Sequence, residues 1–135
     1  MKRIVYVFGN VDVPEDSLPL ALCDRLAEDF PTLIFIKIAP NADLPFADQK
    51  DVIIFDTIQG ISTMKIFSEN DLKSLVLSPR TSVHDFDLGF QLRFLMKLGK
   101  LNHITIIGLP MGVEVPYTSV QETFRKLVAQ DMQGS

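Results

Sequence analysis

The sequence predicts an α/β domain, a three-layer sandwich with a mainly parallel five-stranded sheet, and three observations lead to it. Short apolar runs rich in β-branched residues recur at Arg3 to Phe8, Thr32 to Ile38, Asp51 to Asp56 and His103 to Gly108. Amphipathic stretches of helical period lie between and after them, from Leu18 to Asp29, from Ser82 to Gly99 and from Ser119 to Asp131. Three of these four runs end on or lead straight into glycine or a carboxylate, the punctuation of a strand giving way to a turn. Strands and helices alternating in this way build βαβ units, whose sheet is parallel and covered on both faces. The 135 residues show no internal repeat or linker and read as a single domain, 1–135.

Taken in order, the first strand ends at Gly9-Asn10 and passes through an acidic turn into a helix. Asp16 or Ser17 is placed to cap that helix, and Pro19 is tolerated in its first turn, where a missing N–H has no intrahelical partner anyway. Leu18, Leu22, Leu26 and Phe30 follow at i, i+4 steps and give it one apolar face. Pro31 ends it. Thr32 to Ile38 is apolar almost throughout and reads as a strand covered on both faces. Pro40 to Gln49, with its two prolines, reads as loop. Asp51 to Asp56 is the clearest buried parallel strand, Thr57 to Gly60 reads as a turn, and Ser62 to Ser68 alternates as a fourth, half-exposed strand. A short helix is expected around Asp71 to Leu75. Ser82-Val83-His84-Asp85 has the form of a capping box and opens the strongest helix, with Leu88, Leu92, Leu95 and Met96 inward and Gly99 at its end. The last strand stops on Gly108, Leu109 to Pro116 is loop, and the final helix turns Val120, Phe124, Leu127 and Val128 inward.

Composition excludes several functions. The net charge is −4 and the 13 Lys and Arg residues are scattered, which argues against a nucleic-acid or anionic-membrane surface. No stretch is apolar for long enough to span a bilayer, and the first strand is too short for a signal-peptide core, so the expected location is cytoplasmic. Cys23 is the single cysteine, which rules out a disulfide framework within the chain. Its helical spacing with Leu22 and Leu26 makes it a buried structural thiol. Ser78 and Ser82 lack a Gly-x-Ser-x-Gly setting, which argues against a serine hydrolase. His103 reads as a surface or edge residue, and Arg80 as an exposed loop residue or a fork for a terminal carboxylate. The first turn holds one glycine and three carboxylates, Asp12, Glu15 and Asp16. Such a turn repels phosphate and suits a cation, which weighs against a nucleotide-binding domain.

Asp16 after the first strand, Asp56 at the end of the third and His84 at the start of the following helix occupy places the fold should bring together. Two carboxylates and an imidazole would bind a divalent cation such as zinc, nickel or manganese. Each also has an ordinary reading, as a helix cap, a solvated turn or a surface histidine.

The same residues carry a resemblance. Ile4 to Phe8 with Gly9-Asn10 and the acidic pair Glu15-Asp16 resemble the opening of the hydrogenase maturation endopeptidases, which trim the C-terminus of the large subunit of nickel-iron hydrogenases. The likeness continues through Val52 to Asp56 with Gly60, Met64 to Phe67, Ser82-Val83-His84, and Ile104 to Pro110. It implies that Asp16, Asp56 and His84 are metal-binding catalytic residues. It further implies that the nickel arrives with the immature large subunit, the partner, so that the metal is part of the substrate. Zinc or cadmium could occupy the same site in vitro. Nickel acting as a Lewis acid and a carboxylate positioning water both remain open. The chain departs from the family at Ser17, where glycine is usual, and at Ala39-Pro40-Asn41, where an Asp-Gly-Gly-Thr-like turn is expected. The Asp56-to-Gly60 step is one residue short, and Thr57 is the small residue after the aspartate. The resemblance is therefore to a divergent member, expected to be monomeric. The competing reading is a catalytically inactive α/β module that binds a metalloprotein partner without cleaving it.

Overall fold

Strand β1 (Arg3–Val7) leads through a 3-10 turn at Pro14–Asp16 into α1 (Leu18–Asp29) and then β2 (Leu33–Lys37). Next come β3 (Asp51–Gln59), β4 (Lys65–Ser68), β5 (Val76–Leu77), α2 (Leu88–Lys97), β6 (His103–Pro110) and α3 (Tyr117–Gln133). The structure is a computed structural model and describes residues 3–9, 12–39, 45, 49–72, 76–77 and 88–133. Among them no helix is long and apolar enough to cross a membrane.

The strands lie in the order β2-β1-β3-β6-β4, with the two-residue β5 paired to the end of β3. Pairs β1–β2, β1–β3 and β3–β6 are parallel, while β4 runs antiparallel on β6 and β5 antiparallel on β3. The expected mainly parallel sheet is thus present, with antiparallel strands added at its margins.

Period-2 alternation sorts each strand's side chains between two helical layers. On one face Val5, Val7, Ile53, Phe55, Ile107 and Leu109 pack with Cys23 and Leu26 of α1 and with Val120, Phe124 and Leu127 of α3. Phe124 is the hub of this layer, edge-on to Phe55 at 5.2 Å and tilted against Phe35 at 5.6 Å and Phe30 at 6.0 Å. Such aromatic packing adds to the burial of each ring. On the other face Tyr6, Ile54, Ile58, Ile104 and Ile106 pack with Leu92, and Leu95 and Met96 join them from the same helix. Gly99 ends α2 at φ +75°, with the Lys100 N–H on the Leu95 carbonyl and the Gly99 N–H on that of Met96, a Schellman closure. Buried Cys23 donates to the Leu20 carbonyl at 3.3 Å, and burial pushes its thiol pKa up, as befits a structural residue.

Several elements differ from the sequence reading. Thr57 to Gln59 do not turn; they continue β3, because β6 remains alongside through Pro110 and β5 joins the other edge. Val76–Leu77 is a strand, and Glu69–Asp71 forms a 3-10 turn closed by a Ser68/Asp71 capping box, while residues 73–75 of the short helix expected around Asp71 to Leu75 lie outside the described residues. The fourth strand begins at Lys65, three residues later than its alternation suggests, and pairs with β6 in place of its sequence neighbour β3. Strand β2 is an edge, and Ile34 and Ile36 are 40% and 37% exposed beside Ile4 and Tyr6, so it is covered on one face only. The capping box at Ser82 to Asp85, the turn at Pro40-Asn41, Ser78 and Arg80 lie outside the described residues.

His103 is exposed at the start of β6, as its position suggests, and meets Glu69 at 3.0 Å. The hydrogen bond and charge of Glu69 lift the imidazole above its ordinary pKa. Partial burial pushes the Glu69 carboxyl up, but hydrogen bonds from its own backbone, His103 and the Ile104 N–H outweigh that and hold it below the usual range. The raised histidine contributes stability fully below its unfolded pKa and loses it as pH rises through the folded value. The lowered glutamate contributes above its unfolded pKa and loses it as pH falls through the folded value. Both contributions coexist in mildly acidic solution. In an NMR titration, Glu69→Gln is expected to bring the His103 midpoint down; an unmoved midpoint would show that the pair does not form.

Candidate functional site

The connection from β1 through α1 carries the chain to one side of β1, and β3 returns on the other, giving the local order β2-β1-β3. Ligands in open α/β sheets bind at such a switch point, outside the carboxyl ends of the strands. Here the switch point has a local peculiarity. Strand β1 accompanies β3 only as far as Val7 opposite Phe55, with a last bond from the Phe8 N–H to the Phe55 carbonyl at 2.9 Å. Strand β5 joins the same edge at Ile58 and Gln59. Asp56 and Thr57 therefore face a gap in the sheet between the departing strand and the arriving one.

The turn after β1 fills that gap. The Asp16 N–H donates to the Val13 carbonyl at 2.9 Å, and the Ser17 N–H and hydroxyl both reach the Pro14 carbonyl, at 3.3 and 2.9 Å. Ser17 thus occupies the N-cap of α1 without using its side chain as a cap. The Asp16 carboxylate turns to the sheet, where the Thr57 hydroxyl donates to its Oδ1 at 2.6 Å. The Thr57 backbone N–H in turn donates to Asp56 Oδ1 at 2.8 Å. Asp16, Asp56 and Thr57 are all 0% exposed. Gly9 makes this approach possible: a Cβ there would stand 2.6 Å from the Asp16 carbonyl oxygen and 3.3 Å from Leu20. Asp12, from the same acidic turn, is exposed.

Asp16 and Asp56 are thus brought together through one residue, and His84, the third residue singled out in the sequence, lies outside the described residues. Among the described residues no three of His, Cys, Asp and Glu converge as a metal site. Carboxylates removed from water are retained where hydrogen bonds or a cation compensate them, and a pair of carboxylate donors suits a divalent ion. A groove of about 390 Å³ opens at the same end of the sheet between Ser62 to Met64 and the segment that runs from Glu114 into α3, where Val115, Ser119 and Lys126 line it; neither aspartate does. Thr57 is the residue that a sequence reading treats as a mere turn. One signal marks it as more than that, since it sits inside an apolar run that resumes at Ile58.

No protein-family model matches this sequence, and no curated protein sequence matches it. Solved structures do. The hydrogenase maturating endopeptidase HybD from E. coli superimposes with a TM-score of 0.70 at 16% identity, over 100% of this chain and 94% of its own. The chain has the hydrogenase maturation protease fold. The hydrogenase 3 maturation protease shares that fold with a TM-score of 0.62 at 15% identity, covering 93% of this chain and 88% of its own. The hydrogenase 2 maturation peptidase from a Thaumarchaeota archaeon gives 0.53 at 18% identity, with 98% of each chain covered. At such identities the likeness concerns the maturation protease fold, and the chemistry rests on the site itself.

Proposed function

We propose that this chain is a metal-dependent endopeptidase that removes a C-terminal peptide from the nickel-loaded large subunit of a nickel-iron hydrogenase or a related complex. One observation carries the reading: Asp16 and Asp56, from separate βαβ segments, are both buried and are joined through Thr57 at the β1/β3 switch point. The maturation protease fold of the whole chain supports it.

In this reading the substrate brings the nickel. The Asp16 and Asp56 carboxylates offer oxygen donors to it and His84 an imidazole, a borderline oxygen and nitrogen set that suits nickel and zinc. Holding the ion also holds the scissile peptide, and positioning of that kind removes much of the entropic barrier to attack. A carboxylate then orients the attacking water, or the nickel polarises the carbonyl. Cleavage becomes conditional on metal loading, because a nickel-free precursor offers these side chains too little to bind. The enzyme would act as a monomer in the cytoplasm.

The test is incubation of the purified protein with a nickel-loaded large-subunit precursor, followed by mass spectrometry of the precursor. Loss of a C-terminal peptide with wild type, and none with Asp16→Ala, is expected. A precursor that binds yet stays intact would identify a non-cleaving module instead.

A further inference from the structure

We infer that Thr57 is a positioning residue that presents both site carboxylates as one unit. The inference rests on the metal-binding reading above and goes beyond it by naming the group that sets the geometry.

Thr57 is fully buried, and its two donors are both committed to the site. The hydroxyl reaches across 41 positions of sequence to Asp16 Oδ1 at 2.6 Å, and the backbone N–H bonds Asp56 Oδ1 at 2.8 Å. At 2.6 Å this hydroxyl bond is short and directional, and it anchors the Asp16 carboxyl to the strand. The backbone around Thr57 is itself held by β6, since Thr57 stands opposite Leu109 in the parallel ladder. The carboxylate carried by the turn is therefore referenced to the most regular strand of the sheet. An alanine or glycine at position 57 would keep the N–H bond to Asp56 and leave Asp16 without this tether. Valine has the shape of threonine but no hydroxyl, and serine keeps the hydroxyl with less bulk.

The discriminating experiment is calorimetric titration of wild type, Thr57→Val and Thr57→Ser with nickel, alongside thermal melts. Outer-shell partners of metal ligands typically set affinity by about 10- to 100-fold. Thr57→Val is expected to weaken nickel binding by about that factor, with Thr57→Ser staying within about threefold of wild type. A purely structural role would lower the melting temperature and leave the affinity of the folded protein unchanged. Should the valine variant not fold, NMR of wild type answers instead. The Thr57 hydroxyl proton is expected to be protected from solvent exchange and to shift on addition of zinc. Valine binding nickel like wild type, or a hydroxyl proton exchanging at the solvent rate, overturns the inference while leaving the proposed function standing. Wild type that binds neither ion overturns this inference, whereas the function reading is overturned by failure to cleave a nickel-loaded precursor.

Discussion

Asp56→Asn is expected to lower affinity for nickel or zinc by at least about 100-fold, since losing what the proposed function makes a direct ligand should exceed the loss of an outer-shell partner. Cleavage of a nickel-loaded precursor should disappear with it. The substitution keeps nearly everything except the charge. Asparagine has the size of aspartate, and its carbonyl oxygen can still accept the Thr57 N–H that bonds Asp56 Oδ1 at 2.8 Å. The strand around it is fixed by pairing with β6, Asp56 standing opposite Gly108. The fold should persist, shown by an unchanged far-UV circular dichroism spectrum, while the negative charge is gone. Asp16→Asn should behave alike, because the Thr57 hydroxyl can donate to an amide oxygen as it does to the carboxylate. Residues that act as a unit are strongly non-additive, so the double variant should lose little more than either single one. Asp56→Asn with wild-type affinity and cleavage would mark Asp56 as a structural aspartate and remove it from the site.

Gly9→Ala should cost about 3 kcal/mol of stability, at the upper end of ordinary overpacking penalties. For a domain of this size that corresponds to a fall of about 10 °C in melting temperature. The obstacle is backbone. A Cβ at Gly9 would lie 2.6 Å from the Asp16 carbonyl oxygen, and that carbonyl belongs to the 3-10 turn that places the carboxylate. Relief requires the turn to retreat from the sheet, which lengthens the Asp16 to Thr57 contact. Weaker nickel binding should therefore accompany the lower melting temperature. Thermal melts and calorimetry on the same preparation check both; a melting temperature within a degree or two of wild type would show that the turn shifts freely. This ties the glycine after the first strand to the carboxylate after it, two features that the sequence displays as neighbours without saying why.

Much of the candidate site is legible in the residues themselves. Asp16 stands out in the acidic turn after the first strand and Asp56 as a carboxylate closing an apolar run, although β3 continues past Asp56 to Gln59. Thr57 is illegible for a specific reason. Its backbone environment depends on β5 and β6, which pair with β3 from residues 76–77 and 103–110. Nothing local in Thr57-Ile58-Gln59-Gly60 announces those partners, and the glycine argues for an early turn. The helix cap eludes a local reading on similar grounds. Ser17 and Asp16 both suit an N-cap by type, yet the Asp16 side chain finds Thr57 and the Ser17 hydroxyl turns back to Pro14.

The layers of this protein are written in its residues one element at a time: α1 and α3 with their buried stripes, the parallel strands β1, β3 and β6, the structural role of Cys23, and the two carboxylates at the sheet edge. Periodicity carries them, because it runs through consecutive residues and states which face of each element must leave water. The strand order, the crossing of β4 to the far edge of β6, the half-open edge at β2 and the gap at Asp56 and Thr57 emerge only in the folded sheet. Those features depend on which backbone groups find partners far along the chain. Hydrogen-bond partnership between distant segments is settled by the packing of the whole sheet, and no local pattern encodes it.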